Sequence, residues 1–241
     1  MRRLWNWLVA GYLRVIGPVA DALVRWRVAP NTITTIGTLC TITAGVIYAT
    51  GHIRIAGWFL GLTAIFDVLD GTVARRTGRS TTFGAFYDST LDRVADGAVL
   101  GGLAVFFARN SSLQGVPVWA GTPMVTVTLF GIVGTFLTSY TRARAEALGI
   151  DAKVGIMQRP ERVTLLSAPQ AFFGLALGGW VLMGIVLLLT ITAWITAFQR
   201  IAYVHAVTTR ADAAEAERAR GDVALPAPPA EPAQVATPRA H

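Results

Sequence analysis

Six apolar stretches, each closed by a short polar or glycine-bearing break, set the rhythm of this chain. They cover about residues 32–50, 55–75, 84–107, 118–140, 163–177 and 180–203. Most approach the roughly 20 residues with which an α-helix crosses a bilayer. The breaks are residues 51–54, 76–83, 109–117 and 149–162 and the pair Gly178-Gly179, all rich in turn-forming or charged side chains. The pattern predicts an all-α integral membrane protein with six transmembrane helices. Residues 1–29 read differently, because Arg2, Arg3, Arg14, Arg25 and Arg27 interrupt the Trp, Leu and Val positions. They predict an N-terminal amphipathic helix lying in the interface, anchored by Trp5, Trp7 and Tyr12. Pro30 then opens the first span, with Asn31 as its N-cap. Residues 211–241 are Ala, Pro and charge without period and predict a disordered cytoplasmic tail. The expected organisation is an interfacial helix over 1–29, a membrane domain over 30–205 and a tail over 211–241.

Composition supports that picture. Of 241 residues, 53% are hydrophobic and 15% charged, where a soluble domain carries about 25% charged residues. The single cysteine, Cys40, excludes an intramolecular disulfide, and three scattered histidines leave no material for a His-based zinc site or a Ser-His-Asp triad. The formal charge is +7. With six spans and both termini on one side, that side holds 19 of the 21 basic residues, leaving Arg54 and Arg109 opposite. Such a bias places the termini, residues 75–93 and residues 142–162 at the cytoplasmic face of a multi-pass cell-membrane protein. Arginines flanking apolar helices point to membrane lipids and a phosphorylated substrate as partners, and away from nucleic acid.

The acids are distributed more narrowly still. Between Asp21 and Glu146 they are Asp67, Asp70, Asp88, Asp92 and Asp96. On helices, Asp67 and Asp70 share one face at i, i+3, and Asp88 and Asp92 share another at i, i+4. A turn over residues 76–83 folds the two faces together. Four carboxylates would then meet beside apolar segments, where one unpaired charge costs roughly 2.5–3.5 kcal/mol. They need cations, and oxygen-only ligation favours Mg²⁺, Mn²⁺ or Ca²⁺ over zinc. Two divalent ions about 3.5–4 Å apart can clamp the attacking and leaving oxygens of a phosphoryl displacement. Gly71 lets a sugar or phosphate approach the backbone, Ala74 keeps the same groove open, and Arg75 suits a phosphate fork. Gly84 lets the third span start close to the second. Asp96 continues the i+4 series and reads as a partner for Arg93. Acids at helix ends can also be plain interfacial residues, a reading that one Asp pair would fit and the whole spaced set does not.

The spacing Asp-x-x-Asp-Gly-x-x-Ala-Arg-x₈-Gly-x₃-Asp-x₃-Asp fixes eight residues over 26 positions, and all eight are filled. It resembles the signature of the CDP-alcohol phosphatidyltransferase family. The resemblance implies a six-helix membrane bundle that transfers a phosphatidyl-type group from a CDP-linked lipid to a second alcohol, releasing CMP. It implies two Mg²⁺ ions, with Mn²⁺ as an alternative. By the matching positions Asp67, Asp70 and Asp88 would ligate metal, and Asp92 would be the catalytic base while also touching metal. The nucleotide of CDP-diacylglycerol would lie between the first three spans, which makes Asn31, Thr34, Gly71, Ala74, Arg75 and Thr81 its candidate binding residues. Asn31 and Thr34 match a looser Pro-Asp/Asn-x-x-Thr element. A homodimer is implied by the resemblance alone.

Two basic elements compete for the acceptor. Ser139-Tyr140-Thr141-Arg142-Ala143-Arg144-Ala145-Glu146 ends the fourth span, and Arg159-Pro160-Glu161-Arg162 enters the fifth. Arg142, Arg144, Arg159 and Arg162 are the candidate phosphate-binding residues, with Glu146 or Glu161 fixing neighbouring arginines. The same arginines would also serve a loop that binds lipid headgroups. Both elements look like those of the branch that makes phosphatidylinositol phosphate or its archaeal ether-lipid counterpart, which implies inositol 1-phosphate as acceptor. Similar elements occur in relatives that use glycerol 3-phosphate, serine or another alcohol. A non-catalytic cation carrier is the rival from another class. It would need a polar path across the bilayer, and apart from the Asp cluster the spans carry no ionisable residue at mid-depth.

Overall fold

The computed structural model describes residues 16–109 and 115–223, and among these all regular structure is helical. Residues 16–25 form α1, which covers part of the expected interfacial helix; Trp5, Trp7 and Tyr12 lie outside the described residues. The bundle follows as α2 (Pro30–Ala49), α3 (Ile53–Thr77), α4 (Thr82–Ala108), α5 (Gly121–Ala147), α6 (Arg159–Phe173) and α7 (Trp180–Val223). Of the six expected spans, three combine the length and apolarity to cross a membrane: Pro30–Ala49, Val118–Ala147 and Ala176–Arg218. Helices α3 and α4 have 25 and 27 residues, long enough, but acids and arginines interrupt their apolar runs. Helix α6 has 15 residues, roughly 22 Å at the α-helical rise and short of the hydrocarbon thickness of about 30 Å.

The six helices close into a ring in the spatial order α2, α3, α6, α7, α5, α4 and back to α2. Tyr48, Leu60, Leu103, Phe106, Phe107, Leu182 and Val186 fill its apolar core. The Tyr48 hydroxyl, fully buried, donates to the Leu166 carbonyl at 2.5 Å, so the core leaves no orphan phenol. Helices α2 and α4 cross with their backbones in contact. A Cβ on Gly102 would stand inside the Gly45 carbonyl, and one on Gly45 inside that of Ala98. Close approach through small residues is how helices associate where lipid removes the hydrophobic incentive. On the outside, α1 lays Ile16 and Ala20 against Leu69 and Val73 of α3, and Asp21 pairs with Arg76.

Several local expectations change. Helix α2 starts at Pro30 with Ala29 in the N-cap position and no side-chain cap, so Asn31 is a residue of the first turn and not the cap. Pro30 at N1 explains this, since its missing N–H and fixed φ suit the first helical position. Helix α6 begins at Arg159, four residues early, because Gln158 and Glu161 form a capping box; the Gln158 amide donates to Glu161 Oε2 at 2.7 Å. Glu161 therefore caps a helix and fixes no arginine. Helix α7 runs on to Val223, so residues 211–223, expected to be disordered, are helical. Ala, Glu and Arg are strong helix formers, and propensity carries a segment that lacks an apolar face. Residues 224–241 lie outside the described residues.

Candidate active site

The α3–α4 hairpin carries the signature. Gly78, at φ +63°, ends α3 as a left-handed cap, and Thr81 caps α4 by accepting the Gly84 amide at 2.9 Å. The turn is thus residues 78–81, and Thr81 has a structural task besides the expected nucleotide contact. Gly84 lies closest to Thr81 and to Asn31 of α2; a Cβ there would stand 3.4 Å from Asn31 Oδ1. The close approach expected against the second span is made against the first. A groove of about 200 Å³ opens between α2, α3 and α4, lined by Asn31, Thr34, Gly71, Ala74 and Thr81 together with Asp70 and Asp88. Five of the six expected nucleotide residues therefore share one groove. Arg75 is absent from its wall. Its guanidinium folds over Gly71, where a Cβ would meet it at 3.2 Å, and donates to Thr72 at 3.4 Å. Arg79 and Ser80 also line the groove, residues that the signature leaves unspecified.

The carboxylates turn toward one another. Asp70 is buried, accepts the Thr34 hydroxyl at 2.7 Å and lies within electrostatic reach of Asp67 and Asp88. Asp92 lies within reach of the same two. As they stand, though, no three acidic, histidine or cysteine groups among the described residues close to ligating distance. A guanidinium stands among them. Arg159 reaches Asp67 Oδ2 at 2.5 Å with Nη1 and Asp92 Oδ1 at 2.9 Å with Nη2. The donor set is all oxygen on two facing helices, which suits a hard divalent cation. The facing charge fits such an ion, and Arg159 answers part of that charge.

Across the ring, arginines from α4, α5, α6 and α7 converge. Asp96 sits among Arg162 at 3.4 Å, Arg159 at 3.6 Å and Arg93 at 3.8 Å, so its partners extend beyond the Arg93 that sequence reasoning gave it. Arg93 also donates to Ser139. Buried Nε atoms of Arg93, Arg159 and Arg162 have no acceptor, the signature of donors arranged for an anion or water. Arg142 pairs with Glu146 at 2.9 Å, as expected of that glutamate; Arg142 and Arg144 are both exposed. Sequence reasoning missed Arg200. This buried side chain of α7 donates to the carbonyls of Val154 and Thr138 and lies within electrostatic reach of Arg142 and Arg162. A lone arginine near the end of the longest apolar run was the available signal.

Comparison with known proteins fits this geometry. A sequence profile of the CDP-alcohol phosphatidyltransferase family matches residues 27–208. The phosphatidylinositol phosphate synthase of Mycobacteroides abscessus is 37% identical over 199 residues, covering 82% of this chain and 86% of that protein. The crystal structure of Mycobacterium tuberculosis phosphatidylinositol phosphate synthase with CDP-DAG bound superposes with a TM-score of 0.70 at 31% identity, covering 79% of this chain and 94% of that one. Its complex with manganese and citrate gives the same TM-score, over 78% and 88%. The signature on α3 and α4, the profile match and these relatives together show that the chain is an enzyme and belongs to the CDP-alcohol phosphatidyltransferase family.

Proposed function

We propose that this enzyme is a phosphatidylinositol phosphate synthase, transferring the phosphatidyl group of CDP-diacylglycerol to inositol 1-phosphate and releasing CMP. One observation carries the reading: the acidic hairpin opens on one side to a groove between α2, α3 and α4 and on the other to arginines around Asp96. A nucleotide diphosphate suits the first and a phosphorylated alcohol the second. Relatives named for this reaction, and solved complexes with CDP-DAG and with manganese, point the same way.

Asn31, Thr34, Gly71, Ala74 and Thr81 cradle the cytidine and diphosphate, with Arg75 free to turn from Gly71 onto a phosphate. Asp67, Asp70, Asp88 and Asp92 would hold two Mg²⁺ or Mn²⁺ ions, which supply charge neutralisation to the diphosphate when bound. Arg142, Arg159, Arg162 and Arg200 receive the acceptor phosphate. Arg144 is left outside this group because, two positions on from Arg142, it points to another face of α5. Asp92 takes the proton of the acceptor hydroxyl, whose oxygen attacks the phosphorus bound to diacylglycerol. That bond forms as the bridging P–O bond breaks, and CMP leaves with the bond's electrons.

The same reading extends to topology. Six spans over 30–205 with both termini cytoplasmic are supported by the closed ring and the arginine bias. Packing of α1 against α3, with Trp26 76% exposed beside it, supports an interfacial N-terminal helix. A homodimer rests on the family resemblance. The test is CMP release from CDP-diacylglycerol by detergent-purified protein with Mg²⁺ and a panel of acceptors. Inositol 1-phosphate is expected to support release, and Asp92→Asn to abolish it. Normal turnover in that variant removes the base assignment. Use of glycerol 3-phosphate or serine with inositol 1-phosphate ignored moves the acceptor and keeps the reaction class.

A further inference from the structure

Arg159 touches both halves of the site. It stands at the first position of α6, yet its fork spans Asp67 of α3 and Asp92 of α4, and its Nε lies 3.6 Å from Asp96. Asp88 feels its charge as well. Arg93, 3.5 Å from Asp92, and Arg162, 3.4 Å from Asp96, are its cationic neighbours. The gap between Asp67 and Asp92 is where a cation neutralising both helices belongs. A guanidinium and a divalent ion cannot share it, because like charges at such distances repel strongly in a partly dry site. The side chain has a second anchorage within reach, Asp96, on the arginine side of the ring.

We infer that Arg159 is a resident counter-ion of the Asp67–Asp92 gap, which divalent metal displaces toward Asp96 and the acceptor phosphate. The inference rests on the proposed function and adds an order to it. Metal occupancy releases Arg159 for the acceptor, and acceptor phosphate, by holding Arg159, tightens metal. Thermodynamic linkage makes the two effects equal. A purely structural Arg159, pinning α6 to the hairpin, gives the opposite sign. Its loss would loosen the acidic face and weaken metal.

The experiment is Mn²⁺ titration followed by electron paramagnetic resonance, on the full-length protein in detergent without CDP-diacylglycerol. Arg159→Gln is expected to bind Mn²⁺ about fivefold or more tighter than wild type. Inositol 1-phosphate is expected to tighten Mn²⁺ binding in the wild type and to do so far less in the variant. Equal or weaker Mn²⁺ affinity in folded Arg159→Gln overturns the inference and leaves the metal reading standing; absence of Mn²⁺ binding to the wild type overturns both. Should Arg159→Gln fail to fold, the wild-type arm decides alone, since no tightening by inositol 1-phosphate refutes the exchange. Arg159→Lys, keeping the charge without the fork, is expected to fall between the two.

Discussion

The two halves of the site are built by different means. On the nucleotide side, α2, α3 and α4 wall the groove with backbone and short side chains: Gly84 against Asn31, Gly71 and Ala74 on α3, and the Thr34 hydroxyl on Asp70. On the acceptor side, beyond the close packing of α5 on α7 at Gly131 and Gly134, the helices are tied at the site by long guanidinium side chains around Asp96 and the carbonyls of Thr138 and Val154. A groove walled by closely packed helices has little freedom to change shape. A cluster of arginines exchanges partners at little cost, because each stem has several rotamers and each fork several acceptors. The contrast matches the two substrates. CDP-diacylglycerol needs a fixed frame, and a small phosphorylated polyol needs charge that can close around it.

The largest effect is expected where two backbones touch. Gly102→Leu has no room, because its Cβ would enter the Gly45 carbonyl, whereas nothing lies within 4 Å of a Cβ on Gly101. We expect Gly102→Leu to lose roughly 3 kcal/mol or more, the upper end for overpacking, and its CMP release with it. Gly101→Leu should keep both. Thermal unfolding of the two variants in detergent checks the pair, and a wild-type midpoint for Gly102→Leu breaks the claim that α2 and α4 are locked. Next in size is Arg162→Met. Loss of a hydrogen bond to a charged group costs about 1.5–3 kcal/mol, so the KM for the acceptor should rise about tenfold or more while that for CDP-diacylglycerol stays near wild type. Equal rises in both would dissolve the division into halves.

That division also explains what could be read from the residues alone. Asp67, Asp70, Gly71, Ala74, Arg75, Gly84, Asp88 and Asp92 lie within one hairpin, so helical spacing placed their side chains before any tertiary contact was known. The groove against α2, which only the resemblance implied, gathers five of the six residues named for it and leaves Arg75 off its wall. The acceptor side depends on helices far apart in the chain. Arg200 joins Arg142 and Arg162 only because α7 packs on α5 and α6, and no local spacing signals that. Glu161 caps α6 together with Gln158, a residue outside the usual N-cap set, so its task was hidden in the sequence. The bridge from Arg159 to Asp67 links residues 92 positions apart and lies beyond periodicity of any kind. Helix α7 teaches a smaller lesson, that Ala-rich polar sequence remains helical when an apolar helix leads into it.

A middle-sized effect sharpens the nucleotide side. Thr34→Val keeps the shape of a buried position and deletes the hydroxyl that donates to Asp70. The carboxylate is left with one donor fewer, a loss of about 1.5–3 kcal/mol for a charged acceptor. We expect the KM for CDP-diacylglycerol to rise about tenfold and the acceptor KM to hold, with Thr34→Ser restoring most of the difference. A steady-state comparison of the three proteins with both substrates varied reads this directly. An unchanged Thr34→Val would mean that Asp70 is held by the helix backbone alone.

The smallest expected effect tests the edge of the acceptor side. Arg142 and Arg144 are two positions apart on α5, so they point to different faces of the helix. Both are exposed, but Arg142 pairs with Glu146 and lies within electrostatic reach of Arg200, whereas Arg144 makes no ion pair among the described residues. An exposed i, i+4 pair contributes about 0.3–0.5 kcal/mol, so neither Arg142→Ala nor Arg144→Ala should change the unfolding midpoint much. Kinetics should separate them. Arg142→Ala removes one of the charges facing the acceptor phosphate and is expected to raise its KM several-fold, with a weaker response to added salt. Arg144→Ala is expected to leave kcat and both KM values within about twofold, as substitutions on an open surface commonly do. If the two variants behave alike, the boundary of the acceptor site lies further out along α5, and the charge that recognises the phosphate belongs to the whole loop rather than to the arginines turned toward Asp96 and Arg200.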